Sequence, residues 1–428
     1  MASSVLSAYL PSLRNVLKWL ASTLAVSLTV GGTALYFLQS RLIYPANLPA
    51  GSRQNVPRPE EFGMPGEEVE LTAPDGVKIK AFVIRAPARG EAEGGNDPSQ
   101  RPTVLLLHAN AGNVGHRLPI AKVFWHKMGC NVVALSYRGY GHSEGSPSEK
   151  GIKLDAQTAL DFILSHQELE RTPIFLYGQS IGGAVAIFLA SQNAQRVRGL
   201  IIENTFLSLQ QLVPRILPFL APFVPFLLHQ IWPSDEAIAK LPADFPVLFL
   251  AGSRDELVEP GQMKGLWAKC GSKVKEWREF PHGTHNDTCV QPHYFAHVAA
   301  FIAHQTGIAD VSFSSSASTS SATTATTAST SSTTAADASS QARPASASVS
   351  STGEDSTPLS TAPGSPSASS SSEGGSSSFE FVEASMEDLP EKQEEQGGIA
   401  GAGSLGPKGE VEEVLKEAKD EFRHRQKL

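Results

Sequence analysis

The hydrophobic pattern divides the chain into an unbroken apolar run, a long alternation of strand-like and helix-like stretches, and a tail with few apolar side chains. Residues 19–38 are 20 consecutive positions without a charged side chain. As a helix they extend roughly 30 Å, the thickness of a bilayer's hydrocarbon core. This predicts an uncleaved transmembrane anchor at 19–38 behind an N-terminal flank, 1–18, and ahead of a linker, 39–58. A signal peptide would end in a shorter apolar stretch and a small-residue cleavage site. Here the run continues into Tyr36, Phe37 and Leu38. A buried or interfacial helix is the plainer alternative. Arg14 and Lys18 precede the run, whereas Arg41, Arg53 and Arg58 follow it, so the positive-inside rule leaves orientation open.

Beyond the linker, residues 67–71 and 77–84 flank Asp75-Gly76, a hairpin signal that predicts an antiparallel start. Strand-like runs follow at 104–107, 131–135, 174–177, 200–202, 247–250 and 274–280, most of them solidly apolar, separated by helix-length segments. Such runs read as parallel strands covered on both faces, giving an α/β domain over 59–307 that closes on a helix at 292–305.

Composition alters the picture mainly at the far end. At about 150 residues per domain, 428 residues would suggest two or three domains. Yet 27 of the 68 residues from 311 to 378 are Ser, and only Val311, Phe313, Val349 and Leu359 are sizeable apolar side chains there. Such a stretch cannot offset its ordering entropy by burial, so 308–378 is expected to be a disordered linker. Behind it, 379–428 is an acidic tail in which Val411, Val414, Leu415, Ala418 and Phe422 would share one face of a helix. That helix is either a protein-partner site or a weakly formed surface helix. Residues 1–310 carry 27 basic and 26 acidic side chains, and 311–428 carry 8 and 17, so the net charge of -8 splits into +1 and -9. A near-neutral body without a basic cluster offers no footprint for nucleic acid. Cys130, Cys270 and Cys289, with no C-x-x-C, exclude a Cys-rich zinc site and a disulfide-dense scaffold, and leave one Cys270–Cys289 bridge open. No metal or organic cofactor is implied.

The chemistry gathers around Gly178-Gln179-Ser180-Ile181-Gly182-Gly183, directly after the 174–177 strand and before a small-residue helix at 184–190. The letters G-x-S-x-G are weak evidence alone. Their strand-turn-helix placement is what a nucleophile elbow requires, because a sharp turn lifts the hydroxyl above the sheet and glycines let the turn close. A base and an orienting acid should follow in the order Ser, Asp, His. Asp255 follows the 247–250 strand, and His285 lies in a loop after the 274–280 strand. In this reading His285 takes the Ser180 proton and Asp255 holds the imidazole. His282 is an alternative base and Glu203 an alternative acid. Glu256 and Glu259 read as solvated, and Asp287 as a turn residue. His282 and Asp287 also spell an H-x-x-x-x-D string, read as accidental because His285 falls inside it. The oxyanion hole would take the backbone N–H of Ile181 and that of Asn110, in the loop 108–113. His108 reads as a structural brace for that loop, and residues 137–143 as a supporting loop.

The strings HANAGNVGHRLP, YRGYGHSEGSPSE, YGQSIGGAVA, ENTFLS and GTHNDT, behind an anchor, resemble the membrane-anchored α/β-hydrolases similar to α/β-hydrolase domain-containing protein 13 and the fungal bud-emergence hydrolases. The resemblance covers about residues 35–305. It implies the α/β-hydrolase fold, Ser180, Asp255 and His285 as a triad, and a type II single-pass topology in the endoplasmic reticulum or another endomembrane. It also implies kinship with hydrolases that remove palmitoyl groups from protein cysteines. Ala109 departs from the common His-Gly pair of that fold, which bears on oxyanion geometry.

Substrate signals lie in the cap, about 204–244. Residues 212–228 carry one charge, Arg215, and prolines at 214, 218, 222 and 225, too interrupted to span a bilayer. An apolar lid of this kind suits an acyl chain, lipid-borne or attached to a protein, near the bilayer. Ordinary apolar packing of the cap is the alternative. A catalytically silent membrane scaffold acting through its tail and a serine peptidase-like hydrolase are the competing functions.

Overall fold

A computed structural model describes residues 13–87 and 101–308. The expected 308–378 linker and 379–428 tail, with its terminal helix, lie outside the described residues apart from Ile308, as do residues 1–12 of the N-terminal flank.

The chain opens with a long helix, α1 (Leu13–Ile43). It is long and apolar enough to cross a membrane. Large apolar side chains along it, among them Trp19, Leu24 and Phe37, are exposed. A hairpin follows, β1 (Gly66–Thr72) and β2 (Lys78–Ile84), antiparallel as Asp75-Gly76 predicts. Gly76 takes φ 84° at the turn, a conformation that favours glycine.

The remaining strands and helices alternate: β3 (Thr103–Leu107), α2 (Leu118–Lys122), β4 (Asn131–Ser136), α3 (Glu149–Ser165), β5 (Ile174–Gln179), α4 (Ile181–Asn193) and β6 (Gly199–Glu203). Three short helices form the segment after β6: α5 (Leu209–Ile216), α6 (Val224–Leu227) and α7 (Ser234–Ile238). Then come β7 (Val247–Gly252), α8 (Pro260–Lys269), β8 (Lys275–Phe280) and α9 (Tyr294–Thr306). The eight strands form one sheet in the order β1-β2-β4-β3-β5-β6-β7-β8. β2 joins β4 antiparallel, and every pair from β4 to β8 is parallel.

The apolar runs explain the layers. Side chains alternate across a strand, so Leu105, Leu107, Val133 and Leu135 enter the core on one face, beneath α3, α4 and α8. Val104, Leu106, Val132 and Ala134 enter the core on the other, beneath α2 and α9. β8 departs from the expected burial. It lies at the sheet's edge with only Phe280 fully buried, so its sequence KEWREF carries charges that an interior strand would not tolerate. No disulfide joins Cys270 to Cys289; both are buried thiols, which closes the bridge left open by the sequence.

Candidate active site

The register of the parallel strands aligns their C-terminal ends. Leu107 pairs with Gly178, Gln179 with Glu203, and Glu203 with Leu250. Loops leaving β3, β5, β6, β7 and β8 therefore emerge along one edge, where ligands bind in open α/β sheets.

Ser180 stands between β5 and α4 at φ 55°, ψ -123°, a region that L residues rarely enter. Such strain costs on the order of 1–3 kcal/mol and persists where the surroundings enforce it. Here they do so by close approach. A Cβ at Gly178 would meet the Gly182 backbone, one at Gly182 the Leu107 carbonyl, and one at Gly183 the Thr205 side chain. The Ser180 amide donates to the Glu203 carbonyl at 3.0 Å, and the Thr205 hydroxyl donates to the Ser180 carbonyl at 2.7 Å.

Asp255 and His285 meet this serine from the loops after β7 and β8, across the β6 strand. The Asp255 carboxylate accepts the Leu257 and Val258 amides at 3.0 and 2.7 Å, which fixes it. His285 Nδ1 lies 2.8 Å from Asp255 Oδ2 and 3.0 Å from Oδ1. A carboxylate only accepts, so Nδ1 carries the proton and the Nε2 lone pair faces Ser180 Oγ at 3.0 Å. Asp255 and His285 are buried, and Ser180 is half-buried.

The other candidates fall elsewhere. His282 is exposed. Asp287 accepts the Thr284 amide at 2.6 Å, a turn contact. Glu259 is exposed and lies 3.7 Å from Arg215, while Glu256 is exposed and accepts the His285 amide at 3.3 Å. Glu203 is fully buried among the hydroxyls of Tyr177 and Tyr294 and the Gln179 amide. Burial raises its carboxyl above the usual carboxylate range, against the pull of the tyrosine hydroxyls. Among the described residues, no group of three or more His, Cys, Asp and Glu is arranged to hold a metal ion.

A family model for the α/β hydrolase fold matches residues 102–228. Protein bem46 of Schizosaccharomyces pombe is 45% identical over 304 residues, 71% of this chain and 97% of that protein. The chain belongs to the bem46 family of α/β hydrolases. Membrane protein YNL320W of Saccharomyces cerevisiae is 38% identical over 288 residues, 67% of this chain and 97% of the yeast protein. WAV2 of Arabidopsis thaliana, an α/β hydrolase domain-containing protein, is 38% identical over 275 residues, 61% of this chain and 86% of WAV2.

The hydrolase also uses residues that sequence reasoning passed over. Gln179, an unspecified letter of the elbow string, donates to the His285 carbonyl at 3.0 Å and to Glu203 at 3.3 Å. Asn204 donates to the Thr284 carbonyl at 3.0 Å and accepts the Gly252 amide at 2.8 Å, so it holds the 284–285 loop against the end of β7. Its place in the ENTFLS string is the only signal that marked it.

The amides of Asn110 and Ile181 donate to no protein acceptor among the described residues. The Asn110 side chain is clamped: its amide donates to the carbonyl of Ile43, the last residue of α1, and its oxygen accepts the Tyr140 hydroxyl at 2.8 Å. Gly112 donates to Leu48 at 2.8 Å, and Asn113 donates to Ser52 and Asn55 at 2.9 Å each. His108 packs against Tyr137 with ring centroids 4.1 Å apart, and burial pushes its imidazole down to about 3, so it stays neutral. Arg138, in the 137–143 loop, bonds both Asp155 and Asp75.

Proposed function

We propose that this hydrolase is a membrane-anchored serine hydrolase that cleaves acyl esters or thioesters of lipids or S-acylated proteins. The observation that carries the reading is the unbroken chain from Ser180 through His285 to Asp255, behind a serine held in a strained turn. In the forward step Ser180 Oγ attacks the acyl carbonyl while His285 Nε2 takes its proton and Asp255 stabilises the imidazolium. The tetrahedral oxyanion receives the N–H groups of Ile181 and Asn110. Collapse breaks the bond to the alcohol or thiol, which leaves with the proton from His285. A water activated by the same imidazole then hydrolyses the acyl-serine and restores the enzyme.

The anchor reading is supported by the exposed apolar α1 and by the naming of the yeast relative as a membrane protein. A type II orientation in an endomembrane is part of the proposal, and protease protection of a C-terminal tag in intact microsomes tests it. Full digestion would overturn it.

A fluorophosphonate probe on the purified full chain tests the chemistry. Labelling of the wild type that disappears in Ser180→Ala is the expected result, together with a loss of turnover on the order of 10^6-fold. Labelling that persists in Ser180→Ala, or a wild type that never labels, would overturn the serine mechanism. A panel of acyl esters, acyl thioesters and aminoacyl amides then identifies the substrate bond.

A further inference from the structure

We infer that the prolyl-rich segment from Ile216 to Phe226 is a second membrane contact, seated in the leaflet from which α1 emerges. Ile216, Phe219, Phe223 and Phe226 are exposed, Phe226 at 81% and Phe219 at 65%. They recur at intervals of three, four and three residues, and the buried side chain among them is Val224, which points into the fold. Three uncovered phenylalanines in eleven residues exceed the scattered apolar exposure normal on a soluble surface.

What covers them follows from depth. Gln39 of α1 is 4% exposed and fastened to the end of this segment. Its amide donates to the Leu227 carbonyl at 2.9 Å, and its oxygen accepts the His229 amide at 3.0 Å. The Tyr36 ring lies 4.8 Å from that of His229. Leu227, the residue after Phe226, is therefore held beside Gln39. The 20 uncharged residues from 19 to 38 fill roughly 30 Å of hydrocarbon, so Gln39 stands at its edge. Apolar faces carrying Phe and Leu that lie at that level are buried ~5–10 Å into the boundary between headgroups and acyl chains. The segment thus continues the apolar surface of α1 sideways, and the occupant is the bilayer itself.

The inference rests on the anchored acyl-hydrolase reading and deepens it: the acyl group comes from the membrane that holds the enzyme. Spin labels at Phe219→Cys and Phe226→Cys, on the full chain in phosphatidylcholine nanodiscs, test the contact. The native cysteines are buried, and an unsubstituted sample corrects for any labelling of them. Oxygen partitions into lipid and a nickel chelate does not, so the ratio of oxygen to nickel access at 219 and 226 should exceed that at the control Arg171→Cys by about tenfold. Arg171 is 80% exposed and precedes β5, at the opposite sheet edge. Ratios equal to the control would overturn the inference. So would low access to both agents, which would assign the patch to a protein partner.

In a second arm, Phe219→Ser with Phe226→Ser should leave hydrolysis of a water-soluble butyrate ester within about twofold and reduce hydrolysis of a long-chain acyl ester in the same nanodiscs about tenfold. Equal loss on both substrates would overturn the delivery role. Absence of wild-type turnover on either would defeat the hydrolase reading alone, because the labels decide the contact without catalysis.

Discussion

The loops carrying Ser180, Asp255 and His285 and the loop carrying Asn110 meet at one sheet edge but hang on different supports. The first three are bonded to one another and to the strands. Gln179 and Asn204 hold the 284–285 backbone, and Thr205 holds the Ser180 carbonyl. The Asn110 loop is braced by Tyr140 but leans outward as well, on Ile43, Leu48, Ser52 and Asn55, the end of α1 and the stretch after it. The Ser180, Asp255 and His285 loops are thus supported from inside the fold, and the Asn110 loop in part from the end of α1 and the stretch after it. Two parts of one proposed reaction should respond to different perturbations.

The sharpest break falls on the inner support. Asp255→Asn should lower kcat on a soluble ester by about 10^4-fold, because an amide favours the wrong His285 tautomer. Thermal melts should show the protein still folded; an equal loss caused by unfolding would void the assignment. The outer support should give a smaller effect. Asn110→Ala keeps the backbone N–H but releases its clamp to Ile43 and Tyr140, and kcat should fall about tenfold with KM nearly unchanged. A loss as large as that of Asp255→Asn, or none at all, would erase the distinction between the two supports.

The smallest expected effect concerns Glu203 beneath the inner support. Its carboxyl is raised by burial, so the folded state holds the proton more tightly than the unfolded chain does. That contribution to stability is present at low pH and fades as pH rises above the ordinary carboxylate range. Glu203→Gln loses an acceptor for two tyrosines, and its deficit in Tm should shrink by about 1–3 °C between roughly pH 5 and pH 8. A deficit that grows with pH would show that Glu203 is held as a stabilised anion.

The strands were legible because an interior parallel strand is apolar on both faces, and the elbow because its glycines sit at contacts no side chain could occupy. β8 was legible only in position: as an edge strand it keeps Lys275, Glu276, Arg278 and Glu279, which no interior pattern anticipates. The bracing groups were not legible. Asn110 and Ile43 are 67 residues apart, and Gln179 and His285 are 106 apart; a side-chain amide in a loop carries no periodicity that points to its partner. The same limit applies to Glu203, whose position after a strand allowed a catalytic acid until the tyrosines around it were in view.

The fastening of Gln39 and Ile43 redraws where this enzyme begins. A boundary drawn from the sheet would start near residue 59, yet the hydrogen bonds that steady the segment at 227–230 and the loop at 110 originate in the last turn of α1. A soluble fragment trimmed to the sheet would lack parts that shape its own site. The smallest faithful version of the protein keeps that last turn, residues 39–43, together with the sheet.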